Sequence, residues 1–362
     1  MNRVPFNQNE LDSNEFYPPT RVNVPPAKKL NTPITPKENF KMLYRGEVPM
    51  WIPMSTDKLT LTPRIDPDNM ARAFAFEANS ITPEEMVGGK DKFGIEWVYV
   101  PVAQGSMVKP GNPTLLDVND WKEVINFPNI EEWDWEGTKK SHEEYCKTDR
   151  LIQVTMLTGF FERLISFMDF ENAALAMIDD DQKEALHELY SAIADLYIKM
   201  IDKFIECYNM DLFQLHDDWG SQRAPFFSLN TAMEMIVPHM KRIVDHCHSK
   251  GIFIELHSCG KNEMLVPAYI EAGFDSWTGQ PMNDKNLLYD LYGDKIMLGI
   301  EPDITKTATA PFDVDASVES AKAFVEKYAT DFDKKPVTSS FMAGPPEYNF
   351  ALYEASRKAF CG

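Results

Sequence analysis

The feature that most constrains the fold is a regular alternation of short apolar and longer amphipathic segments from about residue 150 to the C-terminus. The apolar segments have the length of buried parallel strands, and the amphipathic segments have the three- and four-residue spacing of helices. With two earlier candidates, the sequence predicts about eight strands, located near residues 51, 97, 151, 211, 252, 274, 295 and 337. Eight parallel strands with intervening helices form a (β/α)8 TIM barrel, so we expect an α/β protein of this class.

The alternative to a barrel is a doubly wound open sheet. It is less favoured because no glycine-rich phosphate turn follows any predicted strand. Residues 1–38 are polar and marked by prolines, which predicts an extended, irregular N-terminal arm. We therefore expect an arm over residues 1–38 and a single barrel catalytic domain over residues 39–362.

The charge and the apolar content of the chain limit its partners. Lysine and arginine number 36 against 56 aspartates and glutamates, a formal net charge of −20, which argues against nucleic acid as a partner. No apolar stretch approaches the ~20 residues of a membrane span, and the N-terminus resembles no secretion signal. Five widely spaced cysteines argue against a disulfide framework, so we expect a cytoplasmic protein. The sequence leaves the oligomeric state open, with a homodimer as one alternative.

The segment IFIELHSCG, residues 252–260, predicts a strand with reactive side chains at its C-terminal end. His257 and Cys259 are two residues apart and therefore point to the same side of a strand. An imidazole and a thiolate in this arrangement make half of a zinc site. Taken alone, the tripeptide favours the alternative of a capped strand end with a buried cysteine and a hydrogen-bonded histidine. Its surroundings favour the metal site.

A second polar segment, HDDWGSQR, follows the predicted strand at residues 211–215. The chemistry of a barrel collects at the C-terminal ends of its strands. Asp217 and Asp218 are candidates to hold a substrate, to act as a base, or to orient a metal-bound imidazole. The alternative, which the sequence leaves about equally open, is that one aspartate caps a turn and the other pairs with Arg223.

These segments carry a resemblance to a known family. LHSCG, LHDDWGSQ, TGFFERL with FMDFEN, and DSWTGQ resemble the uroporphyrinogen decarboxylase superfamily over roughly residues 40–362, and within it the corrinoid-dependent methyltransferases. The resemblance implies a (β/α)8 barrel with its site at the C-terminal mouth and a zinc ion held by His257, Cys259 and Glu171. HDDWGSQ and the FEN segment are similar to the members that demethylate aryl methyl ethers.

The chain departs from two branches of this superfamily. Thiol-methylating relatives carry another cysteine at the end of the last strand, whereas FMAGPP at residues 341–346 has none and Cys361 comes a whole helix later. Three protein ligands and an open fourth position are therefore expected, as in catalytic zinc sites. The arginine-bearing strand of the metal-free decarboxylases is not apparent around Trp51–Pro53, which disfavours decarboxylation.

The resemblance implies methyl transfer from a methoxylated aromatic to the cob(I)alamin of a partner corrinoid protein. Candidate residues for handling a phenolic hydroxyl or the departing oxygen are His216, Asp217 and Asp218. Candidate substrate contacts are Trp219, Gln222, Trp277 and Gln280. The alternatives are methyl transfer from methylcorrinoid to a thiol or a folate, metal-free decarboxylation, and a non-catalytic barrel that binds a corrinoid or a carrier protein.

Overall fold

The computed structural model describes residues 3–19, 26–78, 81–103, 105–303, 313–329, 331, 333–340 and 345–361. The chain divides into two compact units. Unit 1 comprises Met1–Leu59, Thr148–Leu151 and Asp275–Gly362, and unit 2 comprises Thr60–Lys147 and Ile152–Phe274. No helix among the described residues combines the length and the apolar content needed to cross a bilayer.

The described strands, in chain order, are β1 (Phe16–Tyr17), β2 (Ala27–Lys28), β3 (Lys58–Leu61), β4 (Gly88–Lys90), β5 (Glu96–Val100), β6 (Gly105–Val108), β7 (Leu151–Met156), β8 (Leu212–His216), β9 (Phe253–Ser258), β10 (Ser276–Gly279), β11 (Met297–Ile300) and β12 (Thr338–Ser339). The described helices are α1 (Pro36–Tyr44), α2 (Pro67–Ala71), α3 (Trp121–Val124), α4 (Trp135–His142), α5 (Phe160–Ala176), α6 (Lys183–Tyr208), α7 (Leu229–Met235), α8 (Val237–Ser249), α9 (Val266–Ala272), α10 (Lys285–Tyr292), α11 (Val314–Tyr328) and α12 (Pro346–Cys361).

Unit 2 is built around the parallel strands β7, β8 and β9, with β3 next to β7 in the sheet order. All six side chains of β7 are buried. Ile152, Val154 and Met156 make one face of the strand apolar. On the other face the buried Gln153 Nε2 donates to the Thr155 hydroxyl at 3.3 Å. The strands β8 and β9 pair in parallel with Leu212 opposite Phe253 and His216 opposite His257. Their C-terminal ends therefore lie side by side.

Unit 1 contains the parallel strands β10, β11 and β12, with Ser276 opposite Met297 and Gly299 opposite Thr338. The arm belongs to this unit. Within it β1 pairs antiparallel with β2. Glu10 anchors the arm because it accepts hydrogen bonds from the Arg357 Nε, at 2.9 Å, and from the Tyr353 hydroxyl, at 2.5 Å.

The parallel strands and the helices between them confirm the predicted α/β class of TIM-barrel type. Near the N-terminus, the strand predicted around residue 97 is present as Glu96–Val100, but two predicted members of the barrel sheet are wrong. The strand expected near residue 51 lies instead at Lys58–Leu61, and the one expected near residue 97 belongs to a separate antiparallel sheet of β4, β5 and β6. The predicted last strand extended to Met342, but residues 341–344 lie outside the described residues.

The antiparallel sheet requires a glycine at its closest approach. Gly88, opposite Val98, has a φ of +91°, and a Cβ there would lie 2.3 Å from the carbonyl oxygen of Trp97. Only glycine avoids both the strained backbone and the collision. The strand-like sequence around residue 97 therefore pairs with its neighbours in the chain, not with the parallel strands.

Buried ion pairs join α2 to α5 inside unit 2. The Lys92 Nζ lies 2.9 Å from Asp66 and 3.1 Å from Asp68. The Arg163 guanidinium bonds to Asp68 and, at 2.6 Å, to Asp91. All five side chains are inaccessible to solvent. Such groups are stable only while every partner is in place, so this network fixes the relative position of the two helices.

Candidate metal centre

Four side chains with metal-ligating atoms converge at the C-terminal ends of β8 and β9. They are His216, Asp218, His257 and Cys259, whose ligand atoms all lie within 4.8 Å of one another. His216 and His257 face each other across the strand pair, and their rings stack with centroids 4.8 Å apart. The two-residue spacing within each segment then places Asp218 and Cys259 on the same side as the imidazoles.

Short contacts define the arrangement of the four groups. The His257 Nε2 lies 3.4 Å from the Cys259 Sγ, and the His216 Nε2 lies 3.6 Å from Asp218 Oδ1. The same Asp218 oxygen accepts a hydrogen bond of 2.6 Å from the backbone N–H of Cys259. The carboxylate therefore joins the two loops that carry the four donors.

The loops after β8 and β9 are also joined through their backbones. Gly260 has a φ of +92°, and a Cβ there would lie 2.2 Å from the carbonyl oxygen of Gly220. The Lys261 N–H donates to the Ser221 carbonyl at 2.8 Å. Glycine at position 260 thus permits the close approach that holds Cys259 beside the first loop.

The charges of the four groups depend on one another. Burial opposes protonation of His216, but the carboxylates of Asp218 and Glu162 raise the pKa of this imidazole well above its usual value. Burial also opposes ionisation of Asp218, but the charges of His216, His257 and Arg72 lower the pKa of its carboxyl group. Burial raises the pKa of the Cys259 thiol, which a hydrogen bond from His216 opposes. A divalent cation can replace the protons that hold such a group together.

The donor set fits zinc. Two imidazole nitrogens, a thiolate and a carboxylate oxygen are all zinc ligands, and four such donors satisfy tetrahedral coordination. The sequence-based set shares only His257 and Cys259 with this group. His216 and Asp218, which were expected to contact the substrate, are the other two members.

The predicted ligand Glu171 is not a member of this group. It is exposed on α5, beyond Asp169, whose φ of 63° interrupts the helix. The glutamate beside the donors is Glu162, in the first turn of the same helix. Its Oε2 lies 2.9 Å from the His216 Nδ1, and its Oε1 lies 2.7 Å from a guanidinium nitrogen of Arg72.

Sequence reasoning missed both Glu162 and Arg72. Glu162 lies in the first turn of α5, just beyond the C-terminal end of β7, a position at which polar side chains contribute to barrel sites. The position of Glu162 in the segment TGFFERL was the one sequence signal for its role. Arg72 follows α2 and has no comparable signal, because its approach to Glu162 depends on tertiary packing.

Asp217, predicted to be catalytic, instead holds the start of α5. Its carboxylate is fully buried and accepts hydrogen bonds from the backbone N–H groups of Phe160, Phe161 and Glu162. A fourth bond comes from the Trp219 Nε1 at 2.9 Å. Burial and the neighbouring Glu162 carboxylate raise the pKa of Asp217 to about 7. These contacts make the residue a helix cap, not a group facing a substrate.

The structure gives the predicted aromatic contacts packing roles. Trp219 is fully buried and packs on Phe227, with ring centroids 5.4 Å apart. Trp277 is fully buried in unit 1, where the Lys285 Nζ lies 4.7 Å from its ring centroid. Neither indole exposes a face for an aromatic substrate.

The remaining candidates are not among the four donors. Gln222 is exposed in the turn after β8, and Gln280 follows β10 in unit 1. Cys361 is buried on α12 in unit 1, where its Sγ lies 3.8 Å from the carbonyl oxygen of Met50. None of these three residues belongs to the group identified in unit 2.

Comparison with known families bears on the segment that carries these donors. Residues 137–298 match the family model of uroporphyrinogen decarboxylase (URO-D). The match supports the uroporphyrinogen decarboxylase superfamily. Members of this superfamily are enzymes, both decarboxylases and methyltransferases. The matched segment covers slightly less than half of the chain and includes all four donors.

Other comparisons are more distant. No curated protein matches this chain. Among solved structures, a chitinase from Rhizomucor miehei matches with 10% identity and a TM-score of 0.36, over 65% of this chain and 88% of its own. An endo-beta-N-acetylglucosaminidase from Cordyceps militaris matches with 10% identity and a TM-score of 0.34, over 66% of this chain and 80% of its own.

Proposed function

We propose that this protein is a zinc-dependent methyltransferase that moves a methyl group from an aryl methyl ether to the cob(I)alamin of a partner corrinoid protein. The observation that carries the proposal is the convergence of two imidazoles, a thiol and a carboxylate at the ends of neighbouring parallel strands. The superfamily match, which includes methyltransferases, supports the reaction class.

The reaction is a displacement at the methyl carbon. The cobalt(I) centre of the partner donates an electron pair to this carbon, and a cobalt–carbon bond forms as the carbon–oxygen bond breaks. The oxygen leaves with the electron pair of the broken bond as an aryloxide. A zinc ion held by His216, His257 and Cys259 would supply a Lewis acid that stabilises the charge developing on this oxygen, with Asp218 giving up the fourth position to the oxygen.

The protein's own residues hold the site in place and balance its charge. His216, His257 and Cys259 would hold the ion, with Asp218 as the fourth donor when no substrate is bound. Asp218 also joins the two loops through its bond to the Cys259 N–H. Arg72 adds a positive charge that acts on Asp218, which favours negative charge on a substrate oxygen nearby.

A cluster of phenylalanines in unit 2 includes partly exposed rings. Phe161, which precedes Glu162, packs on Phe227 with centroids 5.0 Å apart, and Phe226 packs on Phe170 at 4.8 Å. Phe170 is 46% exposed, and Phe226 and Phe227 are half-buried. We propose that this cluster takes the stacking role expected of Trp219.

The test combines metal analysis with a methyl-transfer assay. Purified protein is analysed for zinc and mixed with a reduced corrinoid protein and a panel of methoxyarenes, while cobalt absorption is followed. We expect bound zinc and conversion of cob(I)alamin to methylcobalamin. A zinc-free protein, or a His257→Ala/Cys259→Ala double variant that transfers methyl groups normally, would contradict the proposal.

Metal-free decarboxylation is the second candidate because the matched family model describes uroporphyrinogen decarboxylase. It requires neither zinc nor a corrinoid partner. Carbon dioxide release from a carboxylated ring or a tetrapyrrole, in the presence of a chelator and without corrinoid protein, would select this reaction.

A further inference from the structure

We infer that Glu162, anchored by Arg72, is a positioning residue that directs the Nε2 atom of His216 towards the metal. The inference rests on the proposed metal centre and names residues outside the four donors that build it. A carboxylate on one nitrogen of a metal-bound histidine fixes both the ring orientation and the tautomer. Glu162 makes this kind of contact with His216.

The two nitrogens of His216 face different partners. Its Nδ1 lies 2.9 Å from Glu162 Oε2, whereas its Nε2 lies 3.6 Å from Asp218, on the side of the donor group. If Nδ1 carries the hydrogen and donates it to Glu162, the Nε2 lone pair is left for a metal. Glu162 itself is not among the four grouped donors.

Hydrogen bonds fix both the backbone and the carboxylate of Glu162. Its backbone N–H donates to Asp217 Oδ1 at 2.9 Å, so the cap on α5 also fixes this residue. Its Oε1 lies 2.7 Å from the guanidinium of Arg72. The carboxylate therefore has one oxygen for Arg72 and the other for His216, and neither is left to approach the ion.

Arg72 is itself anchored by its surroundings. The same nitrogen that bonds to Glu162 also donates to the Leu157 carbonyl. The guanidinium carbon lies 5.3 Å from the ring centroid of Trp97, within the range of a cation–π contact. The buried network of Lys92, Asp68 and Arg163 then fixes α2, which precedes Arg72, against α5, which carries Glu162.

The test measures metal binding directly, so it does not depend on activity. Zinc affinity is measured by competition with a chromophoric chelator for the wild type, Glu162→Gln, Glu162→Ala and Arg72→Met. Cobalt(II) is substituted to report coordination through its visible absorption. Arg242→Met is the matched control because it removes another arginine–carboxylate pair, with Asp195 at 2.5 Å, outside the donor group. Thermal unfolding of each metal-free variant checks that it folds.

We expect Glu162→Ala to weaken zinc binding about 10- to 100-fold, with a smaller loss in Glu162→Gln, which can still accept the Nδ1 hydrogen. Arg72→Met should weaken binding in the same direction, and Arg242→Met should not change it. The cobalt(II) spectrum should keep its four-donor form in every Glu162 variant.

Two results would overturn the inference alone. One is that the folded Glu162 and Arg72 variants bind zinc as tightly as the wild type. The other is that the cobalt(II) spectrum of Glu162→Ala matches that of Asp218→Ala, a variant that lacks one of the four donors. A wild-type protein that binds neither zinc nor cobalt would overturn the proposed metal centre as well. The two failures are therefore distinguishable.

Discussion

His216 and His257 lie directly opposite each other on neighbouring parallel strands, and their rings stack with centroids 4.8 Å apart and planes inclined by 24°. Parallel register at this one position makes two separate strand ends into a single site. Each histidine also brings a second donor two residues later, Asp218 in one loop and Cys259 in the other.

Metal binding should stabilise the protein. A ligand that binds only the folded state at 100 times its Kd adds about 2.7 kcal/mol to the free energy of unfolding. We therefore expect zinc to raise the Tm of chelator-treated protein and to leave the Tm of His257→Ala/Cys259→Ala unchanged. Differential scanning calorimetry with and without zinc measures the shift, and an equal response in both proteins would contradict the assignment.

Asp217 should contribute to the free energy of unfolding even when no metal is bound. Replacing Asp217 by alanine leaves three backbone N–H groups at the start of α5 and one indole N–H without their acceptor. We expect a loss of roughly 2–4 kcal/mol in the free energy of unfolding. Urea unfolding of metal-free protein measures it. Asp218→Ala is the control and should cost less, because the Asp218 carboxylate accepts only one backbone N–H among the described contacts.

Gly260 should tolerate no side chain. In Gly260→Ala the new Cβ would meet the Gly220 carbonyl at 2.2 Å on a backbone with a φ of +92°. We expect roughly 2–4 kcal/mol of destabilisation and weaker zinc binding, because Cys259 must move with the loop. Gly251→Ala is the matched control: its φ is +72° but its Cβ meets open space, so only about 1 kcal/mol of backbone strain is expected. Equal effects on stability and zinc affinity would contradict the steric argument.

The stability of unit 2 should decrease below neutral pH through His239. Its Nε2 lies 3.0 Å from the His187 Nδ1, and burial, with the charges of His187 and Arg242, lowers the pKa of His239 to about 4. The unfolded histidine has a pKa near 6.5, so between these values the unfolded state binds more protons and stability decreases as the pH falls.

The effect of His239 is measured as a difference between proteins, because other groups also titrate in this range. Between pH 7 and pH 4 the free energy of unfolding should decrease in both proteins. The decrease in His239→Phe should be smaller than that in the wild type by on the order of 2 kcal/mol. Urea unfolding across this range gives the comparison. His248→Gln, at an exposed position on the same helix, should behave like the wild type, and parallel pH curves for all three proteins would refute the prediction.

Much of the fold was predictable because its signals are local. Strands β7 to β11 and the helices between them follow the periodicity of the chain, and the structure places them within a few residues of the prediction. The strand near residue 97 was assigned to the wrong sheet because the sequence of a strand does not specify which strand pairs with it. There β5 pairs with β4 and β6 in an antiparallel sheet.

The candidate site was likewise predictable only in part. The sequence by itself determined that His257 and Cys259 share one side of a strand end, since alternation along a strand is a property of the backbone. Only the tertiary structure decided that His216 and Asp218 complete the group, that Asp217 caps α5, and that Glu162 rather than Glu171 lies beside His216. These pairings depend on strand register and helix packing between residues far apart in the chain, which local spacing does not encode.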